Sequence, residues 1–498
     1  MDERISTGIP GFDDILNGGL PKNRLYLVEG FPGTGKTTMA LQFLLEGVRQ
    51  GEKVLYVSLS ETREEIEQVA ASHHWSLKDF DLYELSQIEE SLLQENQENT
   101  IFHTSDVELS ETTKRIVAKV EASEPQRVVL DSLSEMRLLA GDPLRYRRQI
   151  LAFKQFFAGR QCTVLLLDDR TSGEGDLQLQ SISHGVLMLE EQVTDHSTTR
   201  RRARIVKMRG SPFLSGFHDY EIETGGLVVY PRLVASISRA NSAAVELPGK
   251  KALSGRAELD ALLGGGLEYG TSALILGPAG AGKSSISTQF LWTALERGER
   301  TACYLFEEAR PIFLRRSAGL GMDFKKFLDS GMLMLHQIDP ASLSPGQFFD
   351  MIKRTVEKQH VSMLIIDSIN GYLNAMPTEK HLLLQLHELL MYLNHHHILT
   401  LMIMAQHGML GSMMSQPIDV SYLADTVILL RFFEMTGRVK KAISVVKRRI
   451  GIHENTIREL AFSSDGIKIG PPLIEFQGVL TGVPEFVGTP NDLIKRGP

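Results

Sequence analysis

At 498 residues, with 42% apolar and 23% charged residues, the chain is long enough for two or three globular domains and too apolar for a disordered protein. Its 53 basic and 61 acidic residues give a net charge of −8, which argues against a protein that coats nucleic acid. Neither a secretory signal nor an apolar run of the roughly 20 residues needed for a membrane span is visible, so we predict a cytoplasmic protein without membrane contacts.

The first elements of the chain predict a phosphate-binding turn. An apolar run from Leu25 to Val28 predicts a buried strand, and an apolar-periodic stretch after residue 37 predicts a helix. Between them, residues 30–37 (GFPGTGKT) satisfy the pattern G-x-x-x-x-G-K-[ST], whose backbone N–H groups surround an anion at a helix N-terminus. The predicted ATP-binding residues of this loop are Gly30, Gly33, Thr34, Gly35, Lys36, Thr37 and Thr38.

Two carboxylates follow at the ends of the next predicted strands. The third strand ends in Asp131, and a carboxylate that ends a buried strand is costly without a partner. Because P-loop folds place the Walker B carboxylate here, we predict that Asp131 and the Thr37 hydroxyl bind Mg²⁺. Glu61, at the end of the second strand, is either a base that activates the attacking group or a solvated strand end, and we favour the base.

A basic strand closes the first half of the chain. Lys207 and Arg209 project to the same face because they are two residues apart on a predicted strand. Such a cationic fork suits the phosphates of a nucleotide on an adjoining subunit. A solvated face and a nucleic-acid patch are the alternatives. The second half repeats the pair as Lys447 and Arg449.

The second half of the chain repeats the first, since Thr7–Lys36 aligns without gaps with Ser254–Lys283. Both halves alternate strands and helices, which predicts an α/β fold with a mostly parallel sheet flanked by helices. A small, polar segment near residue 240 predicts a linker. The predicted domains are residues 1–240 and 241–470, followed by a Pro/Gly-containing tail, 471–498.

The second half carries the same candidate chemistry as the first. Its third strand ends in Asp367, which we predict to bind Mg²⁺ with the Ser284 hydroxyl. Glu307 and Glu308 end its second strand and are the candidate bases. The predicted ATP-binding residues of the second loop are Gly277, Gly280, Ala281, Gly282, Lys283, Ser284 and Ser285.

Jointly these residues resemble the RecA-like ATPases and, within them, the duplicated KaiC family of the cyanobacterial clock and its relatives outside clocks. The resemblance spans nearly the whole chain. It rests on S/T-G-x-x-x-x-D-x-x-x-x-G-G-L before each loop, the glutamate after strand two, Asp-Ser after strand three and K-x-R near each domain's end. It implies two tandem RecA-like P-loop NTPase domains in a homo-hexameric ring, with ATP between neighbouring subunits. The residues that would then act in trans are Lys207, Arg209, Lys447 and Arg449.

Three further expectations follow from this resemblance. Gln406 stands where RecA-like proteins carry a γ-phosphate sensor. Ser421 matches the first hydroxyl of a Ser/Thr pair that the family phosphorylates, which implies serine autokinase activity in the second domain. Tyr422 departs from the second position of that pair, and Ser60 replaces the first of two glutamates. We therefore expect no two-site phosphorylation cycle and slow hydrolysis in the first domain.

The leading hypothesis is a ring ATPase, with autophosphorylation of Ser421, that serves signalling or timing. A DNA-dependent ATPase similar to RecA and RadA is the second hypothesis, but the acidic balance and the lack of a zinc motif or an aromatic-basic loop argue against nucleic acid. The third is a nucleotide-gated scaffold that presents the C-terminal tail to a protein partner. Under each hypothesis both loops bind ATP, and the differences around them predict different chemistry in the two domains.

Overall fold

A computed structural model of the chain describes residues 3–85, 104–170, 177–193, 199–233, 249–374, 382–406, 420–435, 437–463, 466–481 and 485–487. The chain divides into two compact units, Met1–Arg232 and Leu233–Pro498, each built around one nine-stranded sheet. The predicted linker near residue 240 lies in the segment 234–248, outside the described residues. In the part of the chain that the structure describes, no helix has the length and apolar character needed to cross a bilayer.

The first domain follows the predicted alternation of strands and helices. Its strands are β1 (Arg4–Ile5), β2 (Leu20–Pro21), β3 (Leu25–Gly30), β4 (Val54–Ser58), β5 (Asp81–Glu84), β6 (Arg127–Asp131), β7 (Thr163–Asp169), β8 (Gly185–Val193), β9 (Thr199–Met208), β10 (His218–Glu223) and β11 (Gly226–Tyr230). Its helices are α1 (Phe12–Ile15), α2 (Lys36–Arg49), α3 (Arg63–Ser72), α4 (Thr104–Ser123), α5 (Leu133–Ala140), α6 (Pro143–Phe157) and α7 (Leu177–Ile182). The phosphate loop joins β3 to α2, as the apolar pattern predicts.

Strand β3 lies at the centre of the first large sheet, whose order is β11-β10-β9-β8-β3-β7-β6-β4-β5. The six strands from β8 to β5 in this order are parallel, and β9 to β11 add antiparallel pairs at one side. Parallel neighbours require crossover connections, which the helices supply. Because parallel strands end at the same edge, the phosphate loop, Glu61 and Asp131 are brought to one edge of the sheet.

The second domain repeats this order of elements. Its strands are β12 (Lys251–Ala252), β13 (Leu267–Glu268), β14 (Ser272–Gly277), β15 (Thr301–Leu305), β16 (Leu333–Gln337), β17 (Met363–Asp367), β18 (Leu399–Ala405), β19 (Thr426–Met435), β20 (Arg438–Arg448), β21 (Arg458–Ser463), β22 (Gly466–Pro472), β23 (Phe476–Gln477) and β24 (Glu485–Phe486). Its helices are α8 (Ala257–Leu262), α9 (Lys283–Glu296), α10 (Arg310–Gly319), α11 (Lys325–Asp329), α12 (Pro345–Gln359), α13 (Ile369–Asn374) and α14 (Leu382–His395), with a 3₁₀ turn at Val479–Thr481. The second phosphate loop joins β14 to α9.

The second sheet has the same topology as the first. Its order, β16-β15-β17-β18-β14-β19-β20-β21-β22, matches the first sheet strand for strand, with β14 in the place of β3 and β17 in the place of β6. The duplication predicted from the sequence repeat therefore extends to the sheet. The predicted fold class is confirmed: two tandem α/β domains, each a mostly parallel sheet flanked by helices.

Apolar layers cover both faces of the second sheet. Ile365 of β17 packs in a cluster with Phe290 of α9, whereas its neighbour Leu364 packs in another cluster with Ile352 of α12. Consecutive strand residues point to opposite faces, so one apolar strand serves both layers. Full burial of such a side chain contributes roughly 1.5–3 kcal/mol. These layers fix the strand ends that carry the candidate site.

Part of the predicted C-terminal tail packs on the second domain. Strand β22 ends at Pro472, and the chain continues into β23 and β24, which form a small antiparallel pair. Leu473 and Val479 are buried in a cluster with Phe433 of β19. This part of the tail therefore belongs to the second domain's packing, and residues 488–498 lie outside the described part of the chain.

Candidate nucleotide-binding sites

The first phosphate loop is a turn that favours glycine at two positions. Gly33 and Gly35 have φ angles of 86° and 87°, in the left-handed region that residues with a Cβ atom rarely adopt. The buried Thr34 hydroxyl donates to the Phe31 carbonyl oxygen at 2.8 Å and closes the turn. Helix α2 begins at Lys36, so its first N–H groups are available to the loop. The turn therefore has the backbone geometry that binds phosphate.

The lysine of this loop is held by three oxygen atoms. Lys36 Nζ donates to the carbonyl oxygens of Gly30 and Phe31 at 2.9 and 3.0 Å. It also lies 2.6 Å from Oδ1 of Asp169, the last residue of β7. Asp169 was not among the predicted site residues. No local sequence signal marks it: Asp169 pairs with Gly30 at the end of β3, and Ala405, which pairs with Gly277 at the end of β14, has no carboxylate.

The carboxylate of Asp131 lies beside the hydroxyl that follows the lysine. Thr37 Oγ1 and the Tyr56 hydroxyl donate to Asp131 Oδ2 at 3.2 and 2.5 Å. Burial raises the pKa of the Asp131 carboxyl, and the two hydrogen bonds oppose that shift. A hydroxyl and a carboxylate this close are suitable Mg²⁺ ligands once phosphate oxygens complete the set. Thr38 is buried in the same helical turn.

Metal binding without a nucleotide has no support in the described residues. Among them, no group of three or more His, Cys, Asp or Glu side chains would hold a metal ion. The single carboxylate and single hydroxyl of each site instead fit an ion that also binds phosphate.

Glu61 is a partly buried carboxylate directly after β4. The Ser58 hydroxyl accepts from the Glu61 N–H at 3.0 Å and donates to the Glu61 carbonyl oxygen at 2.5 Å, which fixes the backbone. Glu61 Oε2 is buried and has no hydrogen-bond partner within the described ranges. Burial, followed by the charge of Asp131, raises the pKa of Glu61 to about 7, and Lys36 opposes the shift. A carboxyl group with this pKa is suited to accept a proton near neutral pH.

The second phosphate loop repeats the turn of the first. Gly280 and Gly282 have φ angles of 77° and 103°, and Ala281 between them is fully buried. A Cβ atom on Gly282 would lie 2.2 Å from Cζ of Phe462. Both the backbone angle and the neighbouring ring therefore require glycine at this position. Helix α9 begins at Lys283, directly after this glycine.

The second lysine lacks the carboxylate contact of the first. Lys283 Nζ donates to the Pro278 carbonyl oxygen at 2.8 Å, and it forms no ion pair in the part of the chain that is described. Burial lowers the pKa of Lys283, and the charge of Asp367 opposes that shift. Burial raises the pKa of Asp367 to about 6, although its carboxylate accepts a hydrogen bond from Ser284. Ser285, which follows Ser284 in α9, is also buried.

The two glutamates of the second site are held differently. Glu307 Oε1 accepts a hydrogen bond from Ser368 Oγ at 2.9 Å, next to Asp367. Glu308 accepts two hydrogen bonds from the guanidinium of Arg316, at 3.0 and 2.9 Å. The phosphate loop, both glutamates and Asp367 line an open cavity of ≈ 710 Å³. This volume lies within the usual range of small-molecule sites.

The basic pair of the first domain lies toward the opposite edge of the sheet from the phosphate loop. Lys207 of β9 is aligned through β8 with a residue of β3 three positions before Gly30. At about 3.3 Å per residue this offset is about 10 Å, and Arg209 lies further in the same direction. Within the subunit, Lys207 Nζ donates to the Gln180 carbonyl oxygen and Arg209 Nη2 to that of Ser181.

Comparison with known proteins places this architecture in one family. A family model described as "ATPase: KaiC" matches residues 5–234 and again residues 253–474. The chain belongs to the KaiC family of ATPases. Relatives include a circadian clock protein KaiC3 from Synechocystis, 26% identical over 488 residues that cover 97% of this chain and 95% of that relative. A circadian clock oscillator protein KaiC from Thermostichus vulcanus is 27% identical over 490 residues that cover 97% and 92% of the two chains.

Membership in the KaiC family confirms the predicted tandem arrangement of RecA-like ATPase domains and the ATPase class of the protein. ATP binding follows from the same assignment. The family match begins again at residue 253, so each domain of the KaiC-family chain carries its own copy of the fold.

In this KaiC-family chain, Ser421 lies beside the basic pair of the second domain. Lys447 Nζ donates to the Ser421 carbonyl oxygen at 2.9 Å. Arg449 donates to the Tyr422 carbonyl oxygen at 2.8 Å and forms an ion pair of 3.3 Å with Asp425. Through β19, Lys447 is aligned with a residue of β14 three positions before Gly277, just as Lys207 is aligned with a residue of β3 three positions before Gly30. The candidate phosphorylation site and the basic pair therefore share one sheet edge.

Gln406, the predicted γ-phosphate sensor, follows β18 beside the second loop of this KaiC-family protein. Its N–H donates to the Gly277 carbonyl oxygen at 3.0 Å. Its side-chain Oε1 is buried and, among the described residues, has no hydrogen-bond partner. In the first domain the Arg170 N–H donates to the Gly30 carbonyl oxygen at 3.4 Å, so Arg170 takes the place of Gln406. The two sites thus differ at the predicted sensor position.

Proposed function

We propose that this KaiC-family ATPase forms a ring in which each ATP lies between the phosphate loop of one subunit and the basic pair of the next. The position of Lys207 and Lys447 carries this proposal, since each lies toward the sheet edge opposite its own loop. Cations placed there serve a phosphate on an adjoining subunit. A closed ring gives every subunit such a neighbour, and the resemblance to KaiC favours six subunits.

Hydrolysis in the first domain uses the residues gathered at the loop edge of the sheet. Lys36 and the loop N–H groups bind the β- and γ-phosphates, and Thr37 and Asp131 hold Mg²⁺. Bound Mg²⁺ supplies charge neutralisation on the phosphate oxygens. Glu61 orients the attacking water and accepts its proton, which its raised pKa favours near neutral pH. Arg209 of the adjoining subunit stabilises the charge that develops on the γ-phosphate.

Hydrolysis in the second domain uses Glu307 as the base. Its carboxylate lies beside Ser368, directly after Asp367, whereas Glu308 is engaged by Arg316. An ion-paired carboxylate is a poorer proton acceptor than one that keeps a free oxygen, because the cation stabilises its charged form. Lys283 binds phosphate, and Gln406 donates a hydrogen bond from its side-chain Nε2–H to the γ-phosphate.

The second domain also acts as a serine autokinase on Ser421. The carbonyl oxygen of this serine lies 2.9 Å from Lys447 Nζ, the cation proposed to meet the phosphate of the adjoining subunit. Ser421 would therefore approach ATP bound by its neighbour. The γ-phosphoryl group moves from ATP to Ser421 Oγ, ADP leaves, and Glu307 of the neighbour accepts the hydroxyl proton.

Phosphate release by the purified protein tests the ATPase proposal, and native mass spectrometry with and without ATP tests the ring. We expect hydrolysis and an ATP-stabilised ring in the unaltered protein. We expect Lys36→Ala combined with Lys283→Ala to abolish hydrolysis. Hydrolysis that survives this double substitution would rule out both loops as the active sites.

Phosphopeptide mass spectrometry after incubation with ATP and Mg²⁺ tests the autokinase proposal. Phosphate is expected on Ser421 and not on Tyr422, and Lys283→Ala should abolish it. An unmodified Ser421 in a protein that still hydrolyses ATP would leave the ATPase alone.

A DNA-dependent ATPase is the less favoured alternative, because the basic strand is paired with acidic side chains. Arg201 and Arg204 lie 3.9 and 3.3 Å from Glu191 and Glu190 of the adjacent strand. Such pairing reduces the positive potential that a nucleic-acid surface needs. Hydrolysis that DNA stimulates, with an effect that falls steeply with salt, would reverse this ranking. A nucleotide-gated scaffold would instead keep ring assembly and partner binding in a Glu307→Gln protein.

A further inference from the structure

The two phosphate-loop lysines have different neighbours at one equivalent position. In the first domain Asp169 ends β7 and its Oδ1 lies 2.6 Å from Lys36 Nζ. In the second domain the residue with the same register is Ala405, which ends β18 and has no side-chain oxygen. Lys283 donates a hydrogen bond to a main-chain oxygen and forms no ion pair among the described residues, although the charges of Asp367 and Glu307 act on it. The carboxylate contact is thus specific to the first site.

The main chain at this position is held in the same way in both domains. The Asp169 N–H donates to Ser134 Oγ at 3.2 Å. The Ala405 N–H donates to Asn370 Oδ1 at 2.6 Å, and Asn370 Nδ2 donates back to the Ala405 carbonyl oxygen at 3.0 Å. Each contact comes from the helix that follows the Walker B strand. The difference between the sites therefore lies in the side chain and not in the placement of the strand.

The Asp169 carboxylate competes with phosphate for the same cation. Lys36 is buried, with 8% of its side chain exposed, whereas the Asp169 side chain is 28% exposed. A phosphate group that binds Lys36 must displace this carboxylate or lie beside a second negative charge. Either event opposes binding, because an ion pair between partly buried groups is weakly screened by solvent.

The charge around the first lysine strengthens this effect. Asp131, Asp169 and Glu61 all lie close enough to interact electrostatically with one another, and Lys36 is the cation they share. In the second site Glu308 has Arg316 as a cationic partner of its own. A phosphate that reaches Lys36 therefore meets a carboxylate in direct contact with the lysine, which the second site lacks, while Arg170 at the position of Gln406 is a further cation of the first site.

We infer that Asp169 acts as a built-in competitor of the phosphate groups and lowers the affinity of the first site for ATP relative to the second. This inference rests on the proposed function, since it takes Lys36 and Lys283 as the phosphate-binding lysines. It identifies Asp169 as a residue that sets how much ATP the first domain binds at a given concentration.

Equilibrium ATP binding by the full chain tests the inference, with one site disabled at a time. In the Lys283→Ala protein, which reports the first site, Asp169→Asn is expected to tighten ATP binding about tenfold. In the Lys36→Ala protein, which reports the second site, Ala405→Asp is expected to weaken ATP binding by a similar factor. Asp169→Ala, which copies the second domain, should act in the same direction as Asp169→Asn.

A gain of affinity separates competition from a structural role, because a merely supporting residue would lower affinity when replaced. An Asp169→Asn protein with unchanged circular dichroism and unchanged or weaker ATP binding would overturn the inference. If Lys283→Ala impairs folding, Asp169→Asn is tested in the otherwise unaltered chain, where it is expected to tighten the weaker of two ATP-binding phases. An unchanged weaker phase would count against the inference. Loss of all ATP binding by the first site, with and without Asp169→Asn, would instead refute the proposed function of that domain.

Discussion

The guanidinium of Arg316 holds the carboxylate of Glu308 through two hydrogen bonds, at 3.0 and 2.9 Å. The adjacent Glu307 instead accepts a hydrogen bond from Ser368. Arg316 extends from α10 and lines the same cavity as the phosphate loop. The ion pair therefore distinguishes two neighbouring carboxylates that look alike in the sequence.

This pairing predicts unequal effects of substituting the two glutamates. In the Lys36→Ala protein, Glu307→Gln is expected to lower phosphate release roughly 100-fold, the usual contribution of a general base. Glu308→Gln should cost less than about tenfold, because its carboxylate serves the ion pair. Rates of phosphate release at saturating ATP provide the measurement. A larger loss from Glu308→Gln would identify Glu308 as the base.

The pKa of Glu61 predicts a pH dependence for the first site. Its value of about 7 in the free protein means that the carboxyl gains a proton as the pH falls through 7. Because the deprotonated form is the base, kcat/KM in the Lys283→Ala protein should fall about tenfold per pH unit below 7 and level off above it. A Glu61→Gln protein should be slow and lack this dependence. A flat profile with Glu61 present would contradict the assignment.

Substitution of Gly282 is expected to lower the free energy of unfolding for two reasons, the backbone angle and the clash with a neighbouring ring. Gly282→Ala places a Cβ at a φ of 103° and 2.2 Å from the Phe462 ring, whereas Gly298→Ala has a φ of 82° and open space around it. We expect Gly298→Ala to lower the free energy of unfolding by about 1–2 kcal/mol. Gly282→Ala should cost a further 1–3 kcal/mol or so, because the ring must shift. Hydrogen exchange in β14 measures both losses, and equal values would show that the ring moves freely.

The sequence predicted the backbone of each site because that information is local. The glycines at 33 and 35 indicate left-handed backbone angles in a turn, and the apolar run that ends in Asp131 indicates a buried strand next to the loop. The repeat supports these predictions because the same pattern occurs in both halves of the chain. The order of the strands in each sheet was not predicted from the sequence.

The contacts that make the two sites differ could not be read from local pattern. Asp169 lies far along the chain from Lys36, and the pair exists only because β7 is the neighbour of β3. The ion pair of Glu308 needs one turn of α10 to face the strand end. In both cases a charged side chain has an ordinary sequence environment, and only tertiary packing brings it to the nucleotide.

The basic pairs predict that two inactive proteins restore each other's activity when mixed. Both proteins carry Lys36→Ala, so that only the second site is measured. One also carries Lys283→Ala, which disables its second phosphate loop, and the other also carries Lys447→Ala and Arg449→Ala, which remove the cations. Each protein alone should be nearly inactive. In mixed rings some interfaces combine an intact loop from one subunit with intact cations from the other, and random assembly makes about a quarter of them complete. Phosphate release after subunit exchange should therefore rise to about a quarter of the Lys36→Ala value. Cations that serve their own subunit's loop would leave the mixture no more active than its components, because no subunit would then contain a complete site.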